Sequence, residues 1–274
     1  MGKRWKSESF GVLRLLGMAS LLCAQLWAAT AVADECKKLI ATGNPEYPPF
    51  LWRNPDDDSH LIGASTELMQ AIAAEIGIPI EVRYVGPWAR VQEEAKLGHV
   101  DLLAGAFLTI PRMEYMDYFY PRLRETRSVI WTRKNSRMTY RNWSDLAGKT
   151  GITVINNSFG EEFDRYAKES LKFSTVPSLE QAFLLLNMSR ADYLIYEEDP
   201  GLAYVAKLNM TNIKALDSAI TNENLYLTLS HKSPCNTPEL RGRIAKALYK
   251  LDKQNLMNKL VASNIQLWRK QQSK

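Results

Sequence analysis

Apolar positions along this chain follow two alternating periods, and their order predicts an α/β protein. Leu39-Ile40-Ala41-Thr42 is a short apolar run that stops at the turn signal Gly43-Asn44-Pro45. Leu68, Met69, Ile72, Ala73 and Ile76 then recur at helical spacing until Gly77 and Pro79 end the pattern. Ile80 to Tyr84 alternates with period two, as a half-buried strand does. Val91, Ala95 and Leu97 suit a helix closed by Gly98, and Asp101-Leu102-Leu103-Ala104 reads as a buried strand. Strand, helix, strand, helix, strand implies right-handed crossovers and a parallel sheet.

The order returns further on. Residues 152–155, 173–176 and 193–196 read as strands, with helices over 158–170, 178–188 and 201–208. Capping boxes at Ser158/Glu161 and Ser178/Gln181 mark two helix starts. Leu225 to Leu229 is a late strand, and Thr237-Pro238-Glu239 opens a helix with a cap, a first-turn proline and an early acid. The two βαβ series, joined by a strand-like segment over 128–133, predict two lobes. Residues 34–129 and 223–274 form the first and residues 130–222 the second, so the chain crosses twice between them, which suits a hinge.

The first 33 residues carry a different pattern. Lys3, Arg4, Lys6 and Arg14 lead into an uncharged run from Leu15 that ends at Ala31-Val32-Ala33, just before Asp34-Glu35. Basic residues, an apolar stretch and small residues at a cut site are the marks of a cleaved secretory signal peptide over 1–33. The alternative is a retained anchor, which Ser20 and Gln25 weaken. Cys23 lacks the preceding small residue that lipoprotein processing needs. The leader accounts for +3 of the formal charge of +5, so the remainder is close to neutral and has no basic cluster with interleaved aromatics. Nucleic-acid binding is excluded on that ground. The expected place is the periplasm, where Cys36 and Cys235 form one disulfide or stay as two thiols; the even count and the oxidising compartment favour the bridge.

In open α/β sheets ligands sit beyond the carboxyl ends of the strands, and four loops there are rich in polar or aromatic groups. Asn44 to Phe50, with Trp52 after it, is stiffened by prolines and offers Tyr47 and Phe50 as walls, although such rings also serve as lids on a local core. Gly105, Phe107 and Thr109 lead to Arg112, whose planar fork matches a carboxylate, unless it is solvated or paired with Glu114. Asn157 and Ser158 join a strand to a helix where free amides favour an acceptor group, and the capping box is the competing explanation. Glu197-Glu198-Asp199 could take an ammonium or simply begin a helix. Together the loops suit a zwitterion. Trp88 is a further wall, and Arg90 beside it is a candidate reader of a ligand side chain.

His60, His99 and His231 have no ligand spacing, so neither a metal nor another cofactor is expected. Asn157-Ser158-Phe159-Gly160 is a broken nucleophile elbow, with His231 in the right chain order, and gives hydrolysis little support.

At these residues the chain resembles the family-3 extracellular solute-binding proteins, periplasmic amino-acid receptors of type II "Venus flytrap" fold. The resemblance covers essentially the whole mature chain. Asn44 to Phe50 is similar to the family's first aromatic loop, Gly98 to Asp101 to its G-x-x-D, and Gly105 to Asp117 to its G-x-T-x-T-x-x-R segment. Leu146-Ala147-Gly148-Lys149 resembles the L-x-G-K that opens the second lobe, and Arg190-Ala191-Asp192 its G-R-x-D. The resemblance implies that Tyr47 stacks on the ligand, Arg112 binds an α-carboxylate and Glu197 takes the ammonium. Phe107 stands where the family carries a hydroxyl, and Ala64-Ser65-Thr66-Glu67 replaces its G-F-D-x-D. The implied protein is a non-enzymatic, monomeric receptor that delivers an amino acid or small carboxylate to the membrane subunits of an ABC transporter. Its rivals are a dehydratase of the same fold acting on a small cyclic acid and a free-standing sensory receptor.

Overall fold

The structure is a computed structural model that describes residues 1–2 and 36–272. The signal-peptide reading of residues 1–33, apart from Met1 and Gly2, lies outside the described residues, as does Cys23. From Cys36 onward the chain forms one compact unit.

Twelve strands form two sheets among the described residues. They are β1 Leu39–Thr42, β2 Glu46–Tyr47, β3 Leu51–Asn54, β4 Asp57–Ile62, β5 Ile80–Val82, β6 Leu102–Phe107, β7 Met116–Tyr118, β8 Arg124–Arg133, β9 Thr150–Val154, β10 Lys172–Val176, β11 Tyr193–Glu197 and β12 Ile213–Ser230. The helices are α1 Ala64–Ile76, α2 Trp88–Leu97, α3 Ile110–Met113, α4 Glu161–Ser170, α5 Leu179–Asn187, α6 Glu198–Lys207, α7 Pro238–Lys253 and α8 Leu256–Gln272. The main sheet runs β10-β9-β11-β8-β12-β6-β1-β5, with β7 on β12, and β2-β3-β4 make a small second sheet.

Each end of the main sheet is parallel, as the βαβ order requires: β1 pairs with β5 and β6, and β9 with β10 and β11. The two wings meet through β8 and β12, which pair antiparallel with each other and with β11 and β6 respectively. These two strands are where the chain passes between wings. The first wing carries α1, α2, α3, α7 and α8, and the second carries α4, α5 and α6.

Local chemistry explains most element ends. Gly77 and Gly98 sit at φ 65° and 80°, the left-handed region that closes α1 and α2. The Ser178 and Thr237 side chains cap α5 and α7, accepting from the amides of Gln181 and Leu240 at 3.1 Å each. Cys36 and Cys235 are bridged, with Cα atoms 5.3 Å apart, and tie the chain ahead of β1 to the segment between β12 and α7.

Three expectations need correction. The helix expected from Ser158 begins at Glu161, with Gly160 as its cap at φ 94°. The Ser158 hydroxyl donates instead to Asp164, whose other oxygen accepts from the Phe159 amide at 2.9 Å. The helix expected from 201 begins at Glu198, because Pro200 falls in its first turn, where no amide donor is needed. The late strand extends back to Ile213; its polar first part shows no alternation and is held by backbone pairing with β8.

Candidate functional site

The loops after β1, β6, β9 and β11 converge between the wings, at the carboxyl ends of those strands. They enclose a cavity of about 30 Å³ lined by Asn44, Tyr47, Phe50, Trp88, Gly105, Phe107, Arg112, Asn157, Glu197 and Leu225, among others. Eight of the eleven residues expected to hold a ligand are therefore together on one cavity. Thr109, Ser158 and Arg90 are not on it.

The aromatic loop positions its rings by short contacts. Tyr47 and Phe50 lie 5.3 Å apart between ring centres, and Tyr196 meets Tyr47 edge-on at 6.3 Å. Asn44 donates to the Tyr196 hydroxyl at 2.9 Å, linking the first loop to β11 of the other wing.

Arg112 is only 5% exposed, on the single turn of α3. Its Nε donates to Gln92 Oε1 at 3.2 Å, its Nη1 to the Phe107 carbonyl at 3.2 Å and its Nη2 to the Asn156 carbonyl at 3.1 Å. Its guanidinium carbon lies 5.3 Å from the Trp88 ring centre, within cation–π range. Burial without a carboxylate partner in hydrogen-bond contact is costly for a cation, so the surrounding acceptors and ring compensate it.

Glu197 ends β11, 1% exposed, and its Oε2 has no hydrogen-bond partner. Burial pushes its carboxyl up to about 7, against smaller opposing effects of its own amide, the neighbouring Asn157 side chain and the Arg112 charge. Burial and the nearby Glu197 also push the Tyr47 phenol well up. The Tyr47 hydroxyl and the Asn157 amide nitrogen are likewise buried without partners. Most buried polar groups are paired in a folded protein, so these three groups on one small cavity are available to bond a molecule held there.

The remaining expected residues have other neighbours. Thr109 is buried ahead of α3, and its carbonyl accepts from the Arg112 and Met113 amides, which sets the turn that carries Arg112. Ser158 is spent on Asp164. His231 is near Asp117 at 3.4 Å, so the elbow serine and this histidine have separate partners. Arg90 has a side chain 64% exposed and pairs with Glu94 at 2.6 Å along α2.

Sequence reasoning missed Gln92 and Asn156. Gln92 is 8% exposed on the buried face of α2, with Trp88, Val91 and Ala95; a polar residue on that apolar stripe was the available signal. Asn156, at φ 60°, acts through its backbone carbonyl, which leaves no mark in the sequence. Among the described residues no cluster of His, Cys, Asp and Glu could hold a metal ion, and no helix is long and apolar enough to cross a membrane.

A mixed sheet with two helix-flanked wings and a polar cleft at the strand ends defines the periplasmic-binding-protein type II fold. The chain belongs to the bacterial extracellular solute-binding proteins, family 3, which it matches over residues 39–266. A histidine kinase sensor domain with similarity to periplasmic binding proteins superposes with a TM-score of 0.73 at 22% identity, over 84% of this chain and 96% of that one. The P235GK mutant of ArgBP from T. maritima gives 0.70 at 19% identity, over 84% and 96%. The amino acid ABC transporter substrate-binding protein AbpA from Streptococcus pneumoniae, bound to L-arginine, gives 0.69 at 21% identity, over 85% and 96%. These likenesses concern the fold. No curated protein matches the sequence. Family and fold together give this chain a solute-binding role.

Proposed function

We propose that this protein is a periplasmic receptor, exported by a cleaved leader over 1–33, that captures an amino acid or related zwitterion for the membrane subunits of an ABC transporter. It acts as a monomer and without a cofactor. The lobes are residues 34–129 with 223–274, and residues 130–222. The observation that carries this reading is the set of unpaired Tyr47, Asn157 and Glu197 atoms on a cavity that Arg112 also lines. Glu197 and the Tyr47 hydroxyl take the ammonium, Arg112 takes the carboxylate, and Tyr47, Phe50, Phe107 and Trp88 wall the apolar part. Gly105 keeps the floor open, Asn157 adds a donor, Thr109 and Ser158 shape the loops, and Arg90 stays at the rim. Ligand contact with both wings favours the closed state. The arginine-bound AbpA likeness supports an amino-acid ligand class.

A thermal-shift screen of amino acids and small organic acids, followed by calorimetric titration, tests the reading. Charge-assisted bonds contribute roughly 1.5–3 kcal/mol each. Arg112→Ala therefore lowers affinity about ten- to a hundredfold. An unchanged dissociation constant removes Arg112 from the site. Two observations favour rival readings: the carboxyl of Glu197 near 7 is what a dehydratase acid requires, and the sensor-domain likeness suits a sensory receptor. Product formation from small cyclic acids, or capture of a kinase in place of transporter subunits, distinguishes them.

A further inference from the structure

Glu46 and Tyr47 are neighbours on β2, and successive residues of a strand point to opposite faces. Tyr47 lines the cavity of about 30 Å³ between the wings, and Glu46 does not. Glu46 lines a separate groove of about 650 Å³, together with Trp52, Tyr204, Lys207 and Trp268. There its carboxylate crosses to the second wing, and Oε2 accepts from the Leu179 amide at 2.8 Å.

The start of α5 explains why that amide needs a partner. The Ser178 side chain serves the Gln181 amide, and the Ser178 carbonyl serves the Ala182 amide. Leu179 is the first residue of the helix, so its amide has no acceptor within α5. Leu179 is also fully buried. The positive end of the helix favours an anion at this place. Burial pushes the Glu46 carboxyl above its ordinary value, while the Leu179 amide and the Lys207 charge, both from the second wing, oppose that. Two other bonds between the wings differ in kind. The Ile110 amide donates to Glu161 at 3.2 Å, and both residues are exposed. Asn44 donates to Tyr196 at 2.9 Å and itself lines the cavity. The Glu46 bond is both shielded and set apart from the cavity.

We propose that Glu46 is a positioning residue for solute capture, holding the first amide of α5 while the wings are together and so slowing release of a solute it does not touch. Separating the wings breaks this bond along with those to the solute, so its strength enters the rate of dissociation. It contributes equally to every solute and leaves selectivity unchanged. Slower release rests on the amino-acid reading of the neighbouring cavity; the cross-wing bond stands without it.

Stopped-flow binding kinetics on the full chain test the role, using each standard amino acid that stabilises the wild type in a thermal-shift screen. Glu46→Ala is expected to raise the dissociation rate about tenfold and to leave the association rate and the affinity ratio between any two amino acids within about twofold. Glu46→Gln keeps an acceptor of the same reach without the charge, and should raise dissociation only about threefold. It also covers the case in which Glu46→Ala does not fold. Unchanged dissociation rates overturn the proposal, and altered affinity ratios do so too, because they place the side chain against the solute. Hydrogen exchange of the Leu179 amide reads the bond without any ligand. Exchange should be faster in the variants, with the amides of residues 183–187 as protected as before, and equal exchange overturns the bond itself. A wild type that responds to no amino acid removes the zwitterion reading, and the exchange result then decides the bond alone.

Discussion

Two buried carboxylates show how differently this fold treats the two ends of its strands. Asp101 stands just before β6 and is 7% exposed; Glu197 ends β11 and is 1% exposed. Asp101 is fully provided for. One of its oxygens accepts from the Ile40 amide at 2.7 Å and the other from the Ser233 hydroxyl. Its backbone bonds to Ile40 and Ser230 at 2.8 Å each, so one residue stitches β1, β6 and the end of β12 together beside the Cys36–Cys235 bridge. Glu197 has an unpaired oxygen, a carboxyl held near 7 and two further unpaired groups for company. A carboxylate whose partners all come from the protein is an anchor. One whose partners are missing is open to bonding with a captured molecule, the role proposed for Glu197.

The comparison can be broken most strongly at the anchor. Replacing both cysteines, Cys36→Ser with Cys235→Ser, removes a closure spanning 199 residues and costs up to about 5 kcal/mol in the chain-entropy picture. Equilibrium denaturant unfolding reads this, and a loss below about 1 kcal/mol would show that the Asp101 bonds alone hold that end. Next comes Asp101→Ala, which leaves the Ile40 amide and the Ser233 hydroxyl unpaired and costs about 3 kcal/mol. The same measurement checks it, and solute affinity stays unchanged.

Glu197→Gln acts in the opposite sense. The folded protein holds its Glu197 proton up to about pH 7, whereas an unfolded glutamate releases it near 4.5. Stability from this group is complete below the lower value and is lost as pH rises through the window. Gln, always neutral, escapes that loss, so the solute-free variant is more stable than the wild type above pH 8, by on the order of 3 kcal/mol at most. Unfolding across a pH series checks the sign, and titration shows the accompanying loss of solute binding. The smallest effect belongs to Arg90→Ala. Its surface pair with Glu94 contributes under about 0.5 kcal/mol, and neither stability nor affinity moves measurably.

The same contrast explains what the sequence revealed. Tyr47, Arg112, Asn157 and Glu197 could be picked out as candidates because each stands at or shortly beyond the end of an apolar run, and the strand-end rule needs only strand order to find them. The glycine stops of α1 and α2, and the serine and threonine caps of α5 and α7, were legible because they are local. Arg90 was set near the site by adjacency to Trp88, yet two residues along a helix is about 200° around it, which turns Arg90 to solvent. Gln92, four residues from Trp88, is on the same face as that ring and donates to the Asn156 carbonyl. The Asn156 carbonyl is a backbone group whose partners are 44 to 68 residues away, so no side-chain pattern announces it. The first part of β12 is held by backbone pairing with β8 while most of its side chains are half-buried or exposed, and alternation fails there.

Release of a captured molecule tests the central claim most directly. Protein purified without denaturant, desalted and then unfolded should liberate one dominant small zwitterion, identified by mass spectrometry, in an amount near that of the protein. The double variant Arg112→Ala with Glu197→Gln should liberate none. A wild type that releases nothing and is not stabilised by any amino acid or small acid would contradict the account.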